Sequence, residues 1–167
     1  FGALWGMALA CTSGWAQVEV EDVFTEKARY LPGEPAAIHV DLANNGAAAS
    51  TETVSLRVWH LTAPPLHTIQ RRLVIPSGGT PTVTFLWKTP PFDHRGYLIE
   101  AEAASSGSAR VSALDVSSDW RRFPRYGFLS KYDYGALPNA EQISRGYVEP
   151  LARRYHLTAL QYYDWAF

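Results

Sequence analysis

The fold class this sequence predicts is an all-β sandwich followed by the first βαβ unit of a parallel sheet or barrel. Between Val18 and about Val116, short alternating or apolar runs are separated by turn residues, and helix signals are missing. From Arg125 onward the pattern becomes strand, helix, strand over roughly 40 residues, the length of a βαβ unit. Composition agrees with a packed chain: of 167 residues 47% are hydrophobic and 19% charged, enough for one ordinary domain plus some remainder.

The chain opens on an apolar, uncharged run from Phe1 to Cys11, read as the h-region of an export signal. Gly14-Trp15-Ala16 supplies small residues where a signal peptidase reads them, so residues 1–16 are expected to be a signal-peptide remnant and the mature chain to begin at Gln17. The protein is then secreted, extracellular or periplasmic, with no membrane partner after signal removal. The run is shorter than the roughly 20 apolar residues a bilayer core demands. Leu9-Ala10-Cys11 faintly resembles a lipoprotein cleavage box, although Ala8 stands where Leu is preferred. Cys11 is the only cysteine, so cleavage after Ala16 leaves a fold that cannot rest on disulfides.

Residues 17–116 form the expected sandwich, with strands at Val18 to Phe24, Ala37 to Ala43, Thr53 to Leu61, Thr68 to Ile75, Thr80 to Trp87, Gly96 to Ala103 and Arg110 to Val116. Between them lie Leu31-Pro32-Gly33, Asn44-Asn45-Gly46, Ala63-Pro64-Pro65, Pro76-Ser77-Gly78-Gly79 and Ser105-Ser106-Gly107, built of residues that fix φ or tolerate φ > 0. Ile38, Val40 and Leu42 share one face and His39 and Asp41 the other, so one face is buried and one wet. Val54, Leu56 and Val58 alternate with Ser55, Arg57 and Trp59, a strand covered on both sides near its end. Residues 117–124 are a polar linker ending in Pro124, in which Trp120 is expected to be buried and Asp119 to satisfy backbone donors.

Residues 125–167 begin with a compact apolar strand, Arg125 to Lys131. A helix follows, with Asn139 as N-cap and Gln142 completing a capping box, and with Ile143, Tyr147, Leu151 and Tyr155 repeating at i+4. Pro150 should kink or split it. Leu157 to Tyr163 is the second strand and runs straight into Asp164 and Trp165. Parallel strands so lightly covered are not a finished domain, and the chain is expected to be the front of a longer one.

Several function classes are disfavoured. A formal net charge of -1 with scattered basic residues offers no footprint for nucleic acid. His39, His60, His67, His94 and His156 lack the paired spacing of a zinc site, and no cofactor or metal is expected. There is no Gly-x-Ser-x-Gly elbow and no phosphate-cradling glycine loop. Glu19 and Glu21 lie on one strand face, where solvation explains them. Trp59 and Trp87 read as core fillers, although exposed rings on a β-sandwich are also how binding modules grip glycan.

Five segments in order carry a resemblance: Thr25-Glu-Lys-Ala-Arg-Tyr-Leu-Pro-Gly33, Pro90-Pro-Phe-Asp-His-Arg-Gly-Tyr-Leu98, Leu114-Asp-Val-Ser-Ser-Asp-Trp120, Phe123-Pro-Arg-Tyr-Gly-Phe-Leu-Ser130, and Arg154-Tyr-His-Leu157 leading to Leu160-Gln-Tyr-Tyr-Asp-Trp165. Together they resemble glycoside hydrolase family 66, the dextranases and cycloisomaltooligosaccharide glucanotransferases. The resemblance implies an immunoglobulin-like β-sandwich followed by a truncated (β/α)8 TIM barrel, acting on α-1,6-glucan with retention. Retention needs a carboxylate nucleophile and an acid/base carboxyl about 5–5.5 Å apart. In the family both lie on later strands, so no catalytic residue is expected here and the chain alone should be inactive. By the same resemblance Asp164 would hold the sugar, with Tyr163 and Trp165 lining the pocket; on spacing alone Asp164 could equally cap a following helix. Ala166-Phe167 departs from the basic and His-containing continuation usual in the family. Arg125, at a strand entrance, reads as packing. A dextranase-type hydrolase is the leading expectation, with a glucanotransferase or a non-catalytic polysaccharide-binding sandwich as alternatives.

Overall fold

The computed structural model describes residues 18–61, 64–129 and 139–162. The elements are β1 (Val18–Thr25), β2 (Arg29–Tyr30), β3 (Pro35–Asn44), β4 (Ser50–His60), β5 (His67–Ile75), β6 (Thr82–Lys88), β7 (His94–Ala103), β8 (Ala109–Val116), β9 (Tyr126–Leu129), α1 (Ala140–Arg153) and β10 (Ala159–Tyr162). Each strand expected between Val18 and Val116 forms, with ends shifted by up to three residues. The expected signal segment lies outside the described residues.

Two sheets face each other across one core. A three-stranded sheet runs β1-β3-β6, wholly antiparallel, and a five-stranded sheet runs β2-β8-β7-β4-β5. Period-2 alternation makes this possible: Ala36, Ile38, Val40 and Leu42 of β3 and Val83, Phe85 and Trp87 of β6 meet Val54, Leu56 and Val58 of β4 and Tyr97, Ile99 and Leu114 of β7 and β8. In β1 the pairing jumps from Val20 opposite Leu42 to Asp22 opposite Asp41, so Glu21 is an extra residue. This bulge switches the buried parity from Val18 and Val20 to Val23 and Thr25. Glu19 and Glu21 are exposed. Trp87 is core, packed edge-on against Tyr97, while Trp59 is half-buried on the outer face of β4 beside Arg57, which Glu100 and Glu102 hold.

The sequence pattern misses β2, whose two residues pair in parallel with Asp115 and Val116. A two-residue strand shows no alternation. The linker is tied by polar contacts: the carboxylate of Asp93 accepts the Ser118 amide and hydroxyl and pairs with Arg122, and Asp119 accepts the Arg121 amide. These ties turn Trp120 outward, 46% exposed, against the expectation that it is buried.

β9 and β10 pair in parallel, Ala159 opposite Tyr126 through Tyr162 opposite Leu129, with α1 between them in sequence. Two helix expectations are corrected. Asn139 makes no side-chain cap bond; its carbonyl accepts the Ile143 amide at 3.0 Å. Pro150 does not split α1, which is continuous to Arg153. It sits in the closing turn, where its missing donor costs one bond and its own carbonyl accepts the Arg154 and Tyr155 amides. The i+4 series is largely exposed, Tyr147 at 63% and Tyr155 at 68%. At 3.6 residues per turn a strict i+4 row drifts around the helix, so of that row Leu151 is half-buried, together with Val148 and Ala152.

Candidate functional site

The expected sugar-binding residues Tyr163, Asp164 and Trp165 follow β10 directly and lie outside the described residues. What the structure shows is the scaffold leading to them. Tyr126 and Phe128 project from one face of β9 and are exposed, whereas Gly127 turns to the side covered by residues before β10. A Cβ at Gly127 would overlap the tip of the Leu157 side chain, so glycine lets Leu157 lie against the strand without being displaced.

The strand entrances are fastened to the sandwich. The Arg125 carbonyl accepts the amides of Thr158 and Ala159 at 3.0 and 3.2 Å, and the Arg125 amide donates to Thr158 Oγ1 at 2.9 Å. Arg125 Nη2 stands 2.9 Å from Asp115 Oδ2, within ion-pair range though without hydrogen-bond alignment. Asp115 is 1% exposed, and its Oδ1 accepts the Gly96 amide at 2.7 Å. One turn past α1, His156 takes φ 55° and is 6% exposed, with Nε2 2.8 Å from Ser112 Oγ and Nδ1 enclosed without a hydrogen-bond partner. Burial, then the charge of Arg125, holds its pKa below the ordinary 6.5 against the opposing pull of Asp115. Arg154 pairs with Asp22, lies 3.9 Å from Asp41, and covers the Phe24 ring at 4.8 Å. Arg125 is therefore a packing and pairing residue.

Two clefts flank α1. One, about 220 Å³, is lined chiefly by Val148, Leu151, Ala152, Leu157 and Leu160, too apolar to bind a sugar's hydroxyls. The other, about 240 Å³, has Phe24 with Glu149, Arg153 and Arg154, whose charges are already paired. Among the described residues no group of three or more His, Cys, Asp or Glu could hold a metal ion, and no helix is long and apolar enough to cross a membrane.

Residues 25–167 match the family model for glycosyl hydrolase family 66. The chain belongs to that family. Two cycloisomaltooligosaccharide glucanotransferases of Niallia circulans are 37% and 36% identical to it, over 95% and 96% of this chain but 15% and 16% of their own lengths. A solved Paenibacillus cycloisomaltooligosaccharide glucanotransferase, complexed with cycloisomaltoheptaose, superposes with a TM-score of 0.77 at 37% identity, covering 88% of this chain and 20% of that one. This family 66 chain thus spans about a sixth of its curated relatives.

Sequence spacing missed one cluster in the family 66 chain. The β4–β7 register places His60 opposite Tyr97, which brings the His60 and His94 rings to 3.7 Å between centroids. Tyr97 Oη bonds His94 Nδ1 at 2.9 Å. Burial, then the neighbouring His60, lowers the His94 pKa. Only the strand pairing reveals this pair, because 34 residues separate its members in the chain.

Proposed function

We propose that this chain is the N-terminal part of a secreted, retaining enzyme acting on α-1,6-linked glucan. It would comprise an immunoglobulin-like sandwich (17–116), a linker (117–124) and the start of a (β/α)8 barrel (125–167) behind a signal remnant (1–16). Family membership over residues 25–167 carries the reading. Tyr163, Asp164 and Trp165 are proposed to bind the sugar: a carboxylate accepts hydrogen bonds from adjacent hydroxyls while an indole covers the apolar ring face. The nucleophile attacks the anomeric carbon as the acid/base protonates the departing glycosidic oxygen, and the same group then deprotonates the acceptor. Water as acceptor gives dextranase-type hydrolysis. A sugar hydroxyl of the same chain gives a ring, and the names of the relatives favour this second reading.

The two reactions leave different marks on dextran. Hydrolysis by the full-length enzyme creates one new reducing end per bond cut, whereas intramolecular transfer shortens the polymer and leaves the number of reducing ends unchanged. Absence of either change would remove the glucan reading. Asp164→Asn is expected to lower kcat/KM on dextran about 100-fold, loss of a charge-assisted bond to the substrate in a water-excluded pocket being worth about 3 kcal/mol.

A further inference from the structure

A pair of parallel strands with one helix is a thin scaffold, and something must fix how far each strand slides along its own axis. The ladder between β9 and β10 sets only their mutual register. At the entrances themselves two contacts reach β8, beside the Arg154 contacts to Asp22 and Phe24 of β1. Ser112 shares its side of β8 with the core residues Leu114 and Val116, and Asp115 lies on the opposite side. β2 covers only Asp115 and Val116, so the earlier part of β8 is free of a strand neighbour on that side. The contacts thus engage β8 from both faces: His156 with Ser112, Arg125 with Asp115.

We propose that Ser112 and Asp115 are positioning residues for the sugar-binding end of the strand pair, holding the entrances of β10 and β9 through His156 and Arg125 and so fixing where the carboxyl ends of both strands stand. The left-handed backbone of His156 supports a built contact, because a non-glycine residue keeps that conformation only where its surroundings over-determine it. Arg125 joins the two halves: its own carbonyl and amide hold Thr158 and Ala159, so a shift of Arg125 moves both strands together. From the clamp, β10 runs four ladder positions to Tyr162, the last described residue before Tyr163 in the sequence. The clamp stands on geometry alone; that its purpose is to place a glucan pocket rests on the function proposed above.

The test uses the full-length enzyme with Ser112→Ala, Ser112→Thr and Arg125→Gln. Asp115 is left intact because it also receives the Gly96 amide, and its loss would disturb the sandwich itself. Hydrogen exchange at amides 126–129 and 159–162 is expected to quicken in Ser112→Ala and Arg125→Gln while β1 to β7 keep their protection. KM for dextran should rise about tenfold, less than the roughly 100-fold that a full 1 Å misplacement can cost, with Ser112→Thr keeping KM within about twofold of the unsubstituted enzyme because its hydroxyl remains. A merely structural loss would lower the active fraction and leave KM alone. Unchanged exchange in both variants overturns the clamp, and faster exchange with unaltered KM overturns the positioning role. If the unsubstituted enzyme leaves dextran untouched, the glucan reading fails and the exchange measurement still decides the clamp.

Discussion

Asn44 shows how much a single polar side chain can hold at the end of a sandwich. Buried to 1% exposure, its Nδ2 donates to the carbonyls of Ala48, Ile75 and Pro76 at 2.9–3.1 Å, and its Oδ1 accepts the Gly46 amide at 2.9 Å. It thereby ties the exit of β3 to the exit of β5, in the other sheet. Asn44→Ala leaves several of these groups buried without partners and is expected to cost about 2–4 kcal/mol, read as a lowered urea midpoint with unchanged slope. Asn44→Asp should be at least as damaging, since a carboxylate has no donor for the three carbonyls and would be repelled by them. At Gly127 the constraint is volume. Gly127→Ala drives a methyl into Leu157, whose side-chain tip must move, at a cost of about 1–3 kcal/mol; a thermal melt no lower than that of the unsubstituted chain would show that Leu157 swings away freely.

Elements differ in how far local sequence determines them. The sandwich strands are legible because each is buried on one face, and burial on one face writes itself as period 2 in six to eight residues. β2 is not, since its place is set by a parallel neighbour more than eighty residues away, and neither is the Glu21 bulge, which only the register exposes. The junction is illegible for the same reason: Ser112 with His156, and Asp115 with Arg125, are polar pairs distant in sequence that no periodicity announces. Asp164 entered through family resemblance rather than pattern. Helix α1 was legible in existence, but its end and its capping were not: Pro150 reads as a break yet lies within the closing turn, and Asn139 fits the motif yet makes no side-chain cap bond. The same helix carries a removable defect. A Cβ at Gly146 meets nothing within 4 Å and the residue is helical, so Gly146→Ala should stabilise α1 by about 0.5–1 kcal/mol through reduced unfolded-chain entropy. A rise in helical circular dichroism at intermediate temperatures would register it, and a fall would mean that the flanking cleft needs the glycine.

Acid should loosen the molecule as a whole in two stages, because the histidines and carboxylates with shifted pKa values favour the less protonated form when folded. His94 and His156 have folded pKa values below the ordinary 6.5. Between that value and their folded ones the unfolded chain binds more protons, so stability is fully present above pH 6.5 and drains away as pH falls beneath it. The groups facing them keep this direction: His94 packs against His60, Tyr97 and Phe92, with burial and His60 the causes of its lowering, and at His156 the burial and Arg125 outweigh Asp115, while nearby Arg154 is engaged by Asp22. The second stage belongs to carboxylates held low by arginine, Asp93 by Arg122 and Asp119 by Arg121, the latter down to about 2. Their contribution persists above the ordinary 3.8 and is lost as pH descends from there. Both are surface pairs, so the second stage should shrink in high salt whereas the first, arising from burial, should not. Melting midpoints are therefore expected to drop by several degrees from pH 7 to 5, then again below pH 4. In His94→Gln the upper drop should become shallower, its remainder belonging to His156 at the junction. A midpoint constant from pH 7 to 5 would mean that both imidazoles find compensating partners when charged, and would remove the histidines from the acid response of this fold.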